Sequence, residues 1–177
     1  VGMYILWLAQ YDPSEGKLID NSDLISNNIG QSFNRKTVAA DFNGDGLLDF
    51  INVSHPERQD LDTSYLDFVY SQDGKWIQET LSKPTRFWNN DPNKNMGYYH
   101  GVAVGDVDSD GDNDFVVSMW SNPEIGMQTY INDGKGNFNN FSAIKGLNIN
   151  ESFCNELFDF NEDGCIDMVY GEPNTFI

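Results

Sequence analysis

Three stretches of this chain set acidic and amide side chains at one fixed spacing: DFNGDGLLD (41–49), DVDSDGDND (106–114) and DFNEDGCID (159–167). Each reads D-x-[D/N]-x-D-G-x-x-D, with side-chain oxygens at positions 1, 3, 5 and 9 and Gly at position 6. A hard cation such as Ca²⁺ takes about six to eight oxygens at about 2.3–2.6 Å, so a short loop wraps it only if the backbone turns sharply. Gly permits that turn because it has no Cβ. The spacing predicts three Ca²⁺ sites. The first would use Asp41, Asn43, Asp45 and Asp49 with the Leu47 carbonyl. The second would use Asp106, Asp108, Asp110 and Asp114 with the Asp112 carbonyl. The third would use Asp159, Asn161, Asp163 and Asp167 with the Cys165 carbonyl. Asp, Asn and Gly also favour plain hairpin turns. Turn chemistry alone does not require the same carboxylates in the same register three times.

What must position these loops is strand, not helix. An EF-hand loop ends in a bidentate Glu at position 12 between two helices. Here position 12 holds Asn52, Val117 and Tyr170. Ahead of the loops stand TVAA, GVAVG and NELF, and behind them FINV, FVVSMW and MVYG. Short runs rich in β-branched and aromatic residues read as strands. Each unit is therefore strand, acidic loop, strand. Behind the first unit, YLDFVYSQDGKWIQETL reads as a further hairpin; behind the second, MQTYINDGKGNFNNFSAI does the same. Strands are expected near 36–40, 49–54, 65–71, 75–81, 101–105, 114–120, 127–132, 137–142, 154–158 and 166–170. The expected core includes Val38, Phe50, Val53, Val102, Val104, Phe115, Val117, Leu157 and Met168.

The loops start 65 and then 53 residues apart. That period, with four strands per unit in meander order, points to β-propeller blades. The segments GVAVGDVDSDGDNDFVVS and TYINDGKGNF resemble FG-GAP, or VCBS-type, repeats, over about residues 31–177. These are the calcium-bearing blades of integrin alpha-subunit propellers and of many bacterial secreted proteins. The literal Phe-Gly and Gly-Ala-Pro pieces are absent, so the resemblance is to the bacterial, calcium-loop version. It implies an all-β propeller fold with calcium at the loop between the first two strands of each blade. It does not imply one function, because the fold serves adhesion, sugar binding and lyase chemistry alike.

The expected organisation is one repeat domain. Residues 1–30 would end a preceding blade, with strands at 3–9 and 17–25. Residues 31–85 and 86–148 would be whole blades, and 149–177 the first half of another. Propellers close with about four to eight blades, so the count predicts a fragment, or a partial propeller completed by further blades or a partner chain. The formal net charge is −18, and twelve of the 28 acidic residues lie in the three loops. Phosphate binding needs clustered Lys and Arg, so a nucleic-acid partner is excluded. The run VGMYILWLA is apolar over only nine residues, too short to span a bilayer and without the basic start of a secretion signal. Cys154 and Cys165 read as two separate thiols, since Cys154 should face residue 172 across its hairpin. Open calcium loops suit the high calcium outside cells, which predicts an extracellular or cell-surface location.

A ligand surface is expected between the two whole blades, in RFWNNDPNKNMGYYHG (86–101). Arg86, Trp88, Tyr98, Tyr99 and His100, with Trp120 beyond the next strand, combine rings and amides as sugar sites do. The alternative is that these aromatics are core between blades. His100 opens the innermost strand, where the other units carry Arg35 and Phe153. No nucleophile–base set can be assigned outside the loops, so binding without catalysis is expected. The leading reading is a calcium-stiffened adhesion module holding a glycan or a protein. The alternatives are a fragment of a polysaccharide lyase-like enzyme, with His100 among its acid–base groups, and a spacer in a large surface protein.

Overall fold

The computed structural model describes residues 7–26, 33–55, 65–82, 98–120, 127–142 and 152–171. They form thirteen strands, one short 3₁₀ turn and no α-helix. The chain is all-β, arranged in several sheets, none of them closed. The first hairpin pairs β1 (Ala9–Asp12) with β2 (Lys17–Asp20). A 3₁₀ turn at Ser22–Leu24 leads to β3 (Ile25–Ser26). The strand expected over 17–25 is thus broken in two. Asp20 accepts the N–H and hydroxyl of Ser22, a local turn that competes with strand pairing. Of the companion strand expected over 3–9, residues 3–6 lie outside the described residues. Pairing begins at Ala9, where that strand was expected to end.

Four strands follow in antiparallel meander: β4 (Phe33–Ala40), β5 (Asp49–His55), β6 (Tyr65–Gln72) and β7 (Lys75–Ser82). β3 adds to the outer edge of β7 in parallel. A second meander contains β8 (Tyr98–Gly105), β9 (Asp114–Trp120), β10 (Met127–Asn132) and β11 (Phe138–Ser142). The last hairpin pairs β12 (Cys154–Phe158) with β13 (Asp167–Gly171). These bounds follow the strands expected from sequence closely. The turn residues that punctuate the chain (Asp-Gly, Gly-Asn and the three loops) also end its strands.

The main core lies between the two meanders. Ile51, Val53, Leu66 and Phe68 of the first sheet meet Val102, Phe115, Val117 and Tyr130 of the second. Side chains alternate along a strand, so Phe50 cannot share the Val53 face. It packs instead against Trp76 on the opposite side, ring centroids 5.0 Å apart, which corrects its expected place in this core. The second sheet is buried on both faces: Val116 and Met127 turn the other way, onto Leu157 and Met168 of the last hairpin. That explains why FVVSM is apolar without alternation. β8 packs on β4 and β5, and β12 on β8 and β9. Gly101 is required at this approach, because a Cβ there would stand 2.5 Å from Ser118 Oγ and 3.2 Å from Cys154 Cα.

Candidate metal centre

Each acidic loop joins the first two strands of its unit: β4 to β5, β8 to β9 and β12 to β13. The three loops repeat one hydrogen-bond pattern. The position-1 carboxylate accepts the N–H of positions 5 and 6: Asp41 from Asp45 and Gly46, Asp106 from Asp110 and Gly111, Asp159 from Asp163 and Gly164. The position-5 carboxylate accepts the N–H of position 7: Asp45 from Leu47, Asp110 from Asp112, Asp163 from Cys165. The position-9 carboxylate accepts the N–H of position 2: Asp49 from Phe42, Asp114 from Val107, Asp167 from Phe160.

The backbone repeats as well. Position 6 is left-handed in every loop, with φ of +83°, +97° and +87° at Gly46, Gly111 and Gly164. Position 4 is left-handed too, at Gly44 but also at Ser109 (φ 64°) and Glu162 (φ 60°). A left-handed residue with a Cβ costs about 1–2 kcal/mol, so the second and third loops hold this shape against local preference.

Position 9 has a second task that the spacing alone did not reveal. Asp49 and Asp114 are fully buried. Their other oxygens accept the N–H of Ser71 at the end of β6 and of Asn132 at the end of β10. Each therefore ties its loop to the third strand of its own sheet. Burial pushes both carboxyls above their ordinary range, against the lowering by these hydrogen bonds.

Charge density peaks in the second loop. One oxygen from each of Asp106, Asp108 and Asp114 lies within 4.8 Å of the others. Oxygens ligating one ion at about 2.3–2.6 Å stand no more than about 5 Å apart, so this donor set fits Ca²⁺. Among the described residues no donor bonds to Asp108. Asp110 stands outside this close set and holds the Asp112 N–H. Asp112 is raised by desolvation and then by Asp110, Asp106, Asp133 and Asp108. The first and third loops differ: the amides of Asn43 and Asn161 donate to Asp45 and Asp163. Backbone donation from Leu47 and Cys165 respectively is the main cause lowering Asp45 and Asp163. Cys165 is raised, chiefly by the charge of Asp163. Cys154 and Cys165 are both unpaired and exposed, and Cys154 faces Gly171 rather than residue 172.

The expected ligand surface fares differently. Arg86 and Trp88 lie outside the described residues. Tyr98 and Trp120 are a backbone pair joining β8 to β9. Tyr99 belongs to the core, 1% exposed, and offers nothing to a surface. His100 is half-buried and meets Phe153 edge-on, centroids 4.9 Å apart. A groove that the sequence did not disclose runs beside the first loop instead, with a volume of about 530 Å³. Tyr70, Gln72, Glu79, Lys135 and Asn137 line it, and the Tyr70 hydroxyl donates to Glu79. Its two walls come from different sheets, so no local pattern marks it.

No protein-family model matches this chain, and no curated protein matches it. Among the described residues no helix is long and apolar enough to cross a membrane.

Proposed function

We propose that this chain is an extracellular calcium-binding repeat module of β-propeller type, resembling FG-GAP or VCBS blades, that displays a surface for a glycan or protein ligand. One observation carries the reading: three loops, far apart in sequence, hold the same oxygens through the same hydrogen bonds and left-handed backbone positions. A turn needs only one such carboxylate. Four oxygen positions kept in register three times match a common ligand. Bound Ca²⁺ would supply the positive charge that these carboxylates lack.

The blade reading draws on the packing of β8 against β4 and β5, and of β12 against β8. Four-stranded meanders stacked through their first strands are how blades sit around an axis. The ligand reading draws on the groove beside the first loop. Its volume falls within the roughly 300–1,000 Å³ of ligand pockets. Tyr70 offers a ring, and Gln72, Asn137, Glu79 and Lys135 offer both donors and acceptors, a mixture suited to sugar hydroxyls. An extracellular setting follows from open loops that need abundant calcium.

Calorimetric titration of the metal-stripped chain with Ca²⁺ tests the core of this reading. Three sites are expected, with Mg²⁺ binding more weakly because it demands stricter octahedral geometry. No heat with Ca²⁺, together with a melting curve that EDTA does not move, would reduce the loops to turns. A glycan array probed with the wild type and Tyr70→Ala tests the ligand surface. Retention unchanged by the substitution would place the ligand elsewhere.

A further inference from the structure

We infer that the first two acidic loops are a coupled pair, with Asn113 and Asn132 as the positioning residues that link them; the inference rests on the calcium reading above. The link is a short chain of hydrogen bonds. Asn113 is position 8 of the second loop, and its Nδ2 donates to the carbonyl of Asp41, position 1 of the first loop, at 3.0 Å. Asn132 ends β10, and its Nδ2 donates to the carbonyl of Phe42, position 2 of the first loop, at 2.7 Å. The same Nδ2 also reaches the Asn113 carbonyl at 3.1 Å. The backbone N–H of Asn132 is in turn held by Asp114, position 9 of the second loop, at 2.8 Å. Asp114 thus grips, through one intervening residue, the main chain that carries Asp41.

The amide of Asn132 has no slack. Its Oδ1 accepts the N–H of Asp133 and of Gly136, and the side chain is buried. The turn it anchors lies directly on the first loop: a Cβ on Gly44 would stand 3.0 Å from the Gly134 carbonyl. A change in the angle of Asp114 is therefore passed to the Phe42 and Asp41 peptides rather than absorbed. Position 8 is Leu48 in the first loop and Ile166 in the third. Neither side chain can donate such a bond, so the third loop should act alone.

The expected consequence is that filling the second loop raises the calcium affinity of the first, and the reverse by reciprocity. The amide resonances of Gly46, Gly111 and Gly164 report the three loops separately, so a ¹⁵N-resolved calcium titration of the whole chain reads each site. Asp108→Ala, which breaks no hydrogen bond of the described residues, disables the second loop. It should weaken the first at least about fivefold, the lower end of typical coupling, and leave the third unchanged. In an Asn132→Ala background the Asp108→Ala effect on the first loop should vanish. Should Asn132→Ala fail to fold, Asn113→Leu, which copies the first loop's own position 8, gives the same comparison. If all three glycines respond to calcium and Asp108→Ala leaves the first loop's affinity unchanged, the coupling is wrong while the calcium reading stands. If no glycine responds in the wild type, the calcium reading itself fails.

Discussion

The first sheet meets the second in one way, and the second meets the last hairpin in another. At the first junction Phe42 is wholly buried and packs edge-on against Phe68, Phe115 and Phe138. Two side-chain amides then bond to the loop main chain. At the second junction the residue in the place of Phe42 is Val107, 38% exposed. Ile166 makes an apolar approach to Gly105 there, and among the described residues the side-chain amide bond across it, from Asn155 to the Val116 carbonyl, joins strands rather than loops. One loop pattern can thus be locked by its neighbour or left to hold itself. The neighbour, together with the loop's own position 2, decides which.

The largest effect that would separate the junctions is loss of a ring. Phe42→Ala should cost about 3–5 kcal/mol, as buried Phe truncations do, whereas Val107→Ala should stay near the roughly 0.5 kcal/mol of surface changes. Urea unfolding of the two variants measures this, and equal losses would make the junctions equivalent.

Calcium removal, counted per site, comes next. At a hundredfold excess over Kd each occupied site adds about 2.7 kcal/mol, so chelation should lower the melting temperature markedly and added Ca²⁺ should restore it. Scanning calorimetry with and without EDTA is the measurement. Backbone strain is a smaller probe and should ignore the junctions altogether. A Cβ on Gly46, Gly111 or Gly164 would meet nothing within 4 Å. Each Gly→Ala change should therefore cost only the left-handed penalty of about 1–2 kcal/mol, alike in all three loops. A much larger cost at one of them would reveal a contact that distinguishes it.

The smallest effect concerns a turn built without a loop. Asp12 lies below its ordinary 3.8, foremost because the Ser14 hydroxyl donates to it, then through the Ser14 N–H. A lowered folded-state value means stability that is present above 3.8 and is lost as pH falls through the lowered value. Ser14→Ala should slightly lower the melting temperature at neutral pH, and the difference should close in acid. EDTA should leave that difference untouched, since one carboxylate suffices for this turn.

Much of this architecture was legible because its signals are local. The alternation of β-branched residues and the Gly at each sharp turn mark strand and loop within about ten residues of each other. The carboxylates of the loops could be named from spacing for the same reason. What spacing could not convey was contact across sheets. Asn113 and Asn132 reach carbonyls 72 and 90 residues away, and no periodicity encodes that. Tyr99 and Phe50 show the same limit. An aromatic in a strand reads alike whether its face meets solvent, the main core or a different layer. The parallel pairing of β3 with β7 was equally invisible, resting on two residues, Ile25 and Ser26.

Lys36 gives the molecule a sense of time. From β4 its ammonium reaches Glu156 Oε1 at 2.5 Å and the Asn155 carbonyl at 3.2 Å, partners 120 and 119 residues further on. Contacts so distant along the chain close long loops, and their entropy must be overcome before the contact can form. The two meanders, by contrast, pair strands that follow one another directly in the chain. All strands of both sheets precede β12 in the chain, so Lys36 is synthesised long before its partner. The contact with Glu156 therefore requires the third hairpin to be both made and docked.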